Sequence, residues 1–247
     1  MKRRLTYLAP AALVAVCVVM SFGADTLGVN APGTLAGTVK LEGSAPKRTP
    51  VNMAKEPTCA TLHAAAPALT EDVVVDSAGN LQNVVVYVSA GLPDSNPAPP
   101  QEPVTLTQEG CSYKPHVIAM QVNQKLRIVN GDKTSHNIHP LPESNREWNK
   151  SQPAGAADFE ETFARAEIGI PVKCNVHAWM RAYISTFKHP YFAVTNQSGA
   201  YSIKGLPPGS YTVSAWQEKL GTVSQKVVVA AGESKPLQFA FKARPGM

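Results

Sequence analysis

From residue 30 onward the apolar residues fall in short runs and alternations, and helical spacing is scarce. Runs rich in Val, Ile, Tyr and Thr recur at Thr34–Leu41, Val73–Asp76, Leu81–Val88, Val117–Val122, Lys125–Val129, Tyr201–Ile203, Tyr211–Trp216 and Val223–Val229. Gly, Pro, Asn and Asp punctuate them. Strands of this length with frequent turn residues predict an all-β chain of sandwiches or barrels. The Ala-rich stretch His63–Leu69 reads as a short helix. Pro93–Pro103 holds five prolines in eleven residues and predicts an extended connection.

The N-terminus breaks this pattern. Lys2-Arg3-Arg4 precedes an apolar run from Leu5 to Phe22, the order of an export signal. Small residues at Ser21 and Gly23 suit cleavage after Gly23, so residues 1–23 are expected to be a signal peptide; an uncleaved membrane anchor is the alternative. The mature chain is then periplasmic or secreted. The formal net charge of +5 gathers partly in those first residues. With no basic cluster in the body, nucleic acid is not an expected partner. No Gly-x-Ser-x-Gly elbow or phosphate loop is present, so enzymatic turnover is not expected.

The sharpest chemical signal is Cys174-Asn175-Val176-His177-Ala178-Trp179-Met180. Cys-x2-His-x2-Met lets one short loop turn a thiolate, an imidazole and a thioether toward one point. Upstream, His136 stands in Asn130-Gly131-Asp132-Lys133-Thr134-Ser135-His136-Asn137-Ile138-His139 and supplies a second imidazole from another strand end. A thiolate and two imidazoles with a long axial thioether describe a blue-copper site. Zinc on one Cys and two His is the competing reading, disfavoured by a methionine in fourth place. His139 is expected beside the site rather than in it.

These motifs resemble the cupredoxins, amicyanin most closely. The resemblance covers about a third of the chain and implies His136, Cys174, His177 and Met180 as ligands of one mononuclear copper. It also implies an exposed His177 ring edge as the exit for an electron. Separately, Gly37-Thr38-Val39, Leu81–Val88, Thr195–Ile203 and Gly205–Val213 resemble the carboxypeptidase regulatory-like, or transthyretin-like, sandwich. The combination is similar to exported proteins labelled methylamine utilisation proteins. The fold expected is a cupredoxin Greek-key sandwich packed with, and inserted in, an immunoglobulin/transthyretin-like sandwich. Residues 33–92 and 188–242 would form the outer sandwich, and residues 104–187 the copper unit.

Cysteine bookkeeping follows. Export removes Cys17 and metal engages Cys174, which leaves Cys59 and Cys111 to pair in an oxidising compartment. A second metal set of Cys59, His63, Cys111 and His116 stays open. The expected function is single-electron transfer with a redox protein, such as a c-type cytochrome or a membrane electron-transfer complex. The alternatives are a carbohydrate- or partner-binding sandwich, with Trp148, Trp179 or Trp216 as stacking platforms, and a copper storage or oxidation protein.

Overall fold

The computed structural model describes residues 30–95 and 97–244. The expected export signal lies outside them. The described residues are all-β apart from one short helix. Its elements begin with β1 (Gly33–Glu42), α1 (Pro57–Leu62) and β2 (Val85–Ala90). Nine strands follow: β3 (Val104–Gln108), β4 (Tyr113–Lys114), β5 (Val117–Gln121), β6 (Leu126–Asn130), β7 (His136–Pro140), β8 (Lys150–Gln152), β9 (Phe159–Glu161), β10 (Glu167–Lys173) and β11 (Arg181–Phe187). The chain ends with β12 (Phe192–Val194), β13 (Ala200–Leu206), β14 (Gly209–Gln217), β15 (Gly221–Val229), β16 (Ser234–Pro236) and β17 (Phe239–Lys242). Among the described residues no helix is long and apolar enough to cross a membrane.

Four sheets result. Two run β13-β1-β16, with β17 also on β1, and β12-β2-β14-β15. They enclose one core in which Leu35, Val39, Val84, Val86 and Val88 meet Ile203, Val213 and Phe239. Residues from both ends of the described chain therefore share one interior. The other two run β5-β11-β10-β7-β8 and β4-β3-β6-β9, and enclose Leu106, Met120, Leu126, Ile128, Ile138 and Ile170. All nine strands of this second pair lie between β2 and β12 in sequence.

The unbroken apolar run at β2 has a physical reason. A strand sends alternate side chains to opposite faces. Val84, Val86 and Val88 fill the first core, while Val85 and Tyr87 face the second unit and pack with Val117, Phe187 and Trp216. Strands covered on both faces read as continuous hydrophobic runs rather than alternations. Gly169 of β10 sits in the same junction. A Cβ there would come within 2.3 Å of the Trp216 ring, and its φ of +69° favours glycine independently.

Some local expectations are corrected. The helix is Pro57–Leu62, not His63–Leu69. Pro57 suits the first helical turn, where its missing N–H is not needed, and Pro67 disfavours helix in the residue before it. Val73–Asp76 is no strand and contributes one isolated bridge, Val75 to Leu81. β2 starts four residues later than Leu81, after Asn83 at φ +62°.

Candidate metal centre

Two strand ends bring the candidate residues together. β6 stops at Asn130, the turn Gly131–Ser135 reverses the chain, and His136 opens β7. β10 and β11 are antiparallel neighbours closed by the pair Lys173 and Arg181, and residues 174–180 form the loop between them. That loop is braced by Met180 N–H to His177 O at 2.9 Å and Cys174 N–H to Met180 O at 3.3 Å. β7 pairs with β10 through His139 and Lys173, which draws His136 over the loop. Asn137 stitches the two together, its Oδ1 accepting from the Asn175 N–H.

His136 Nδ1 and His177 Nδ1 lie 2.9 Å apart, and Cys174 Sγ lies 3.8 Å from His177 Nδ1. The three residues offer donor atoms all within 4.8 Å of one another, and all three are buried. The sulfur also accepts from backbone: the N–H of His177 at 3.4 Å and of Asn137 at 3.5 Å. Met180 is 1% exposed and packs in the same core cluster as Cys174. His139 points elsewhere, its Nε2 2.6 Å from Glu147 Oε1 and its Nδ1 3.1 Å from Asn175 Oδ1.

The electrostatics favour an ionised sulfur. Burial pushes the Cys174 thiol up, but the hydrogen bond with His136 and the N–H groups of Asn137, His177 and Val176 outweigh it; the thiol sits below its ordinary value. Burial disfavours the His136 cation, yet Cys174 and Asp132 together raise its pKa. His177 is held down, first by burial and then by the charge on His136.

Asp132 was not singled out in the sequence reading. Its Oδ2 lies 2.8 Å from His136 Nε2 and accepts from the Cys111 N–H at 2.8 Å; its Oδ1 accepts from the Gly110 N–H at 2.8 Å. A carboxylate holding the far nitrogen of an imidazole fixes its tautomer and leaves Nδ1 to face the site. The available signal was an acid four residues before a candidate histidine, a common pattern that says little by itself.

Cys59 and Cys111 are joined, with Cα atoms 5.7 Å apart. His63 meets Gly110 O at 2.8 Å, and His116 meets Glu218 Oε1 at 2.5 Å. The alternative set Cys59, His63, Cys111 and His116 is therefore not assembled. Cys111, Asp132 and His136 also bring donor atoms within 4.8 Å, but the sulfur of Cys111 is in the disulfide.

The expected exposed edge of His177 is overturned. His177 is 0% exposed. α1 lies over it, with Cys59 Sγ 3.6 Å and Glu56 Oε2 3.8 Å from its Nε2. Met53, Cys59 and Cys111 form a small apolar cluster with Trp179 against it, and the Trp179 indole N–H donates to Cys111 O at 3.0 Å. The cover comes from residues 53–59, far upstream of His136 and Cys174, so the spacing of the candidate ligands carries no sign of it. All three tryptophans are packing residues: Trp148 on Phe159 and Phe163, Trp179 on His177, and Trp216 on Tyr183.

Residues 181–242 match the carboxypeptidase regulatory-like domain. No curated protein matches the chain. Among solved structures, the chain is similar to a Cu-containing nitrite reductase (NirK) from Thermus scotoductus at 19% identity and TM-score 0.32. That match covers 41% of this chain and 25% of the reductase. A novel purple cupredoxin from Nitrosopumilus maritimus matches at 16% identity and TM-score 0.29, over 34% of this chain and 99% of its own. Amicyanin from Paracoccus versutus matches at 17% identity and TM-score 0.32, over 41% and 97%. The chain thus spans a quarter of the reductase and nearly all of the two small proteins.

Proposed function

We propose that the chain holds one copper ion between His136 Nδ1, His177 Nδ1 and Cys174 Sγ, with Met180 as a weak fourth donor, and carries single electrons between redox proteins outside the cytoplasm. The observation that carries this is the buried convergence of one sulfur and two Nδ1 atoms, with backbone N–H groups aimed at the sulfur. The donor chemistry fits: thiolate favours Cu(I), and imidazole suits both oxidation states. Copper bound there supplies a one-electron couple.

The remaining work belongs to the chain's own residues. β7 and the braced hairpin loop hold the donors on a rigid scaffold, so little has to move on electron transfer. Asp132 orients His136, and the cover on His177 keeps water from that ring. Four protein donors leave no position for a substrate, which favours a carrier over a catalyst. The joined cysteines and the expected signal peptide support an oxidising compartment. A c-type cytochrome or a membrane electron-transfer complex is the partner class.

Loading the protein with Cu(II) should give an intense visible charge-transfer band, and Cys174→Ser should abolish it. A colourless copper-loaded protein whose Cys174 reacts freely with a thiol reagent would end this reading.

A further inference from the structure

The covered His177 raises the question of where a partner approaches, and the hairpin that carries the candidate loop answers it. Lys173 closes β10 and Arg181 opens β11, and the two are direct cross-strand partners. Directly opposed residues on antiparallel strands put their side chains on one face, with Cβ atoms about 5 Å apart. Like charges in that position destabilise the pair. Both side chains are exposed, and neither is in an ion pair among the described residues. The nearby acids are otherwise engaged: Asp72 with Lys219 at 3.2 Å, Glu71 toward His116 at 3.9 Å, and Glu147 with His139.

The two cations flank a cavity of about 600 Å³ whose wall includes Cys174, Asn175, Leu141 and Tyr183. Val176, one residue along the loop, is 53% exposed. On the opposite approach Glu56 stands over His177 at 3.8 Å, next in sequence to the exposed Lys55, so no pair of like cations is set there. Lys173 and Arg181 together draw an acidic surface to the Cys174 side.

We propose that the acidic face of a one-electron redox protein docks on the Lys173–Arg181 pair, and that electrons cross beside Cys174 rather than at the His177 edge. This rests on the copper-carrier reading. In the transfer the reduced partner loses one electron, the copper site gains one, and no bond or proton moves. Carboxylates of the partner enter between Lys173 and Arg181 and relieve their repulsion. Charge pairs of this kind govern chiefly the rate of encounter and its salt dependence.

The surface is testable without copper. Hexacyanochromate(III), a redox-inert paramagnetic trianion, is titrated into ¹⁵N-labelled full-length protein. Amide signals of residues 173–176 and 181–182 should broaden first, and those of residues 56–63 should not. Poly-L-glutamate should compete the broadening away. Lys173→Gln with Arg181→Gln should remove it while leaving the remaining spectrum in place. With copper bound, oxidation by ferricyanide should slow by about tenfold in that double variant at low salt and by less at high salt, while Glu56→Gln stays near wild type. Broadening centred elsewhere, broadening that survives the double variant or resists poly-L-glutamate, or equal ferricyanide rates would overturn the proposal. A missing copper–thiolate band in the wild type would instead defeat the copper reading and leave the mapped surface to be judged by the amide signals alone.

Discussion

Among single residues, His116 carries the clearest consequence beyond the candidate centre. It is 8% exposed, and its Nε2 lies 2.5 Å from Glu218 Oε1, whose side chain is 2% exposed. Its Nδ1 lies 3.1 Å from Arg181 O. Burial works against the cation, but the hydrogen bond and charge of Glu218, with help from Glu71, raise the pKa above its ordinary value. A raised folded-state pKa stabilises fully below the unfolded value, about 6.5, and that stability is lost as pH rises through the folded value. Melting temperature should therefore fall as pH climbs from about 6.5 through the raised folded-state value, and Glu218→Gln should flatten that slope. His116→Ala, which strands a buried carboxylate, should cost about 3–5 kcal/mol in denaturant titrations. An unchanged slope in Glu218→Gln would assign the pH dependence to another group. The pair also shows what sequence reading can reach at this scale. Cys174, His177 and Met180 stood out because their spacing is local. Glu218 lies 102 positions from its histidine, and only the fold introduces them.

At the scale of elements, α1 and its disulfide act as one clamp. Cysteine counting pointed to Cys59 and Cys111, because export and metal account for the other two. The helix itself was misplaced, since one turn ahead of an Ala-rich stretch has almost no periodicity to read. The cover on His177 was invisible for a related reason: Met53, Glu56 and Cys59 reach it from a segment with little regular structure. A loop of 52 residues closed by the bridge stabilises the fold by roughly 4 kcal/mol in the chain-entropy account. Replacing both cysteines by alanine should lower unfolding free energy by up to that amount. The visible band of the copper-loaded variant should remain, because β7 and the hairpin loop hold the donors. In the metal-free variant His177 should become reactive toward diethyl pyrocarbonate; continued protection would mean that packing of Met53 and Trp179 closes the cover without the bridge.

Across the whole molecule, one unit sits within the chain of the other. The strand-rich pattern announced an all-β chain, the resemblances of its motifs divided it into two sandwiches, and residues 181–242 carry the family match. The two-sided burial of β2 gains its meaning only when Val85 and Tyr87 meet Phe187 and Trp216. The pairing of β1 with β17 has a mechanical side. Val39 to Glu42 run parallel to Phe239 to Lys242, so the two outermost strands of the described chain lie side by side and point the same way. A pull on the chain's two ends loads this pair in shear, along the strands, and its hydrogen bonds resist together rather than opening one at a time. The strands from β3 to β11 lie between β2 and β12 and feel no tension until that clasp gives way. Forced unfolding is governed by the unfolding barrier rather than by overall stability. Stretched between its ends in single-molecule pulling, the protein should yield first at the clasp and only then release the inserted unit, whereas early lengthening by the inserted unit alone would show that the termini bear little load.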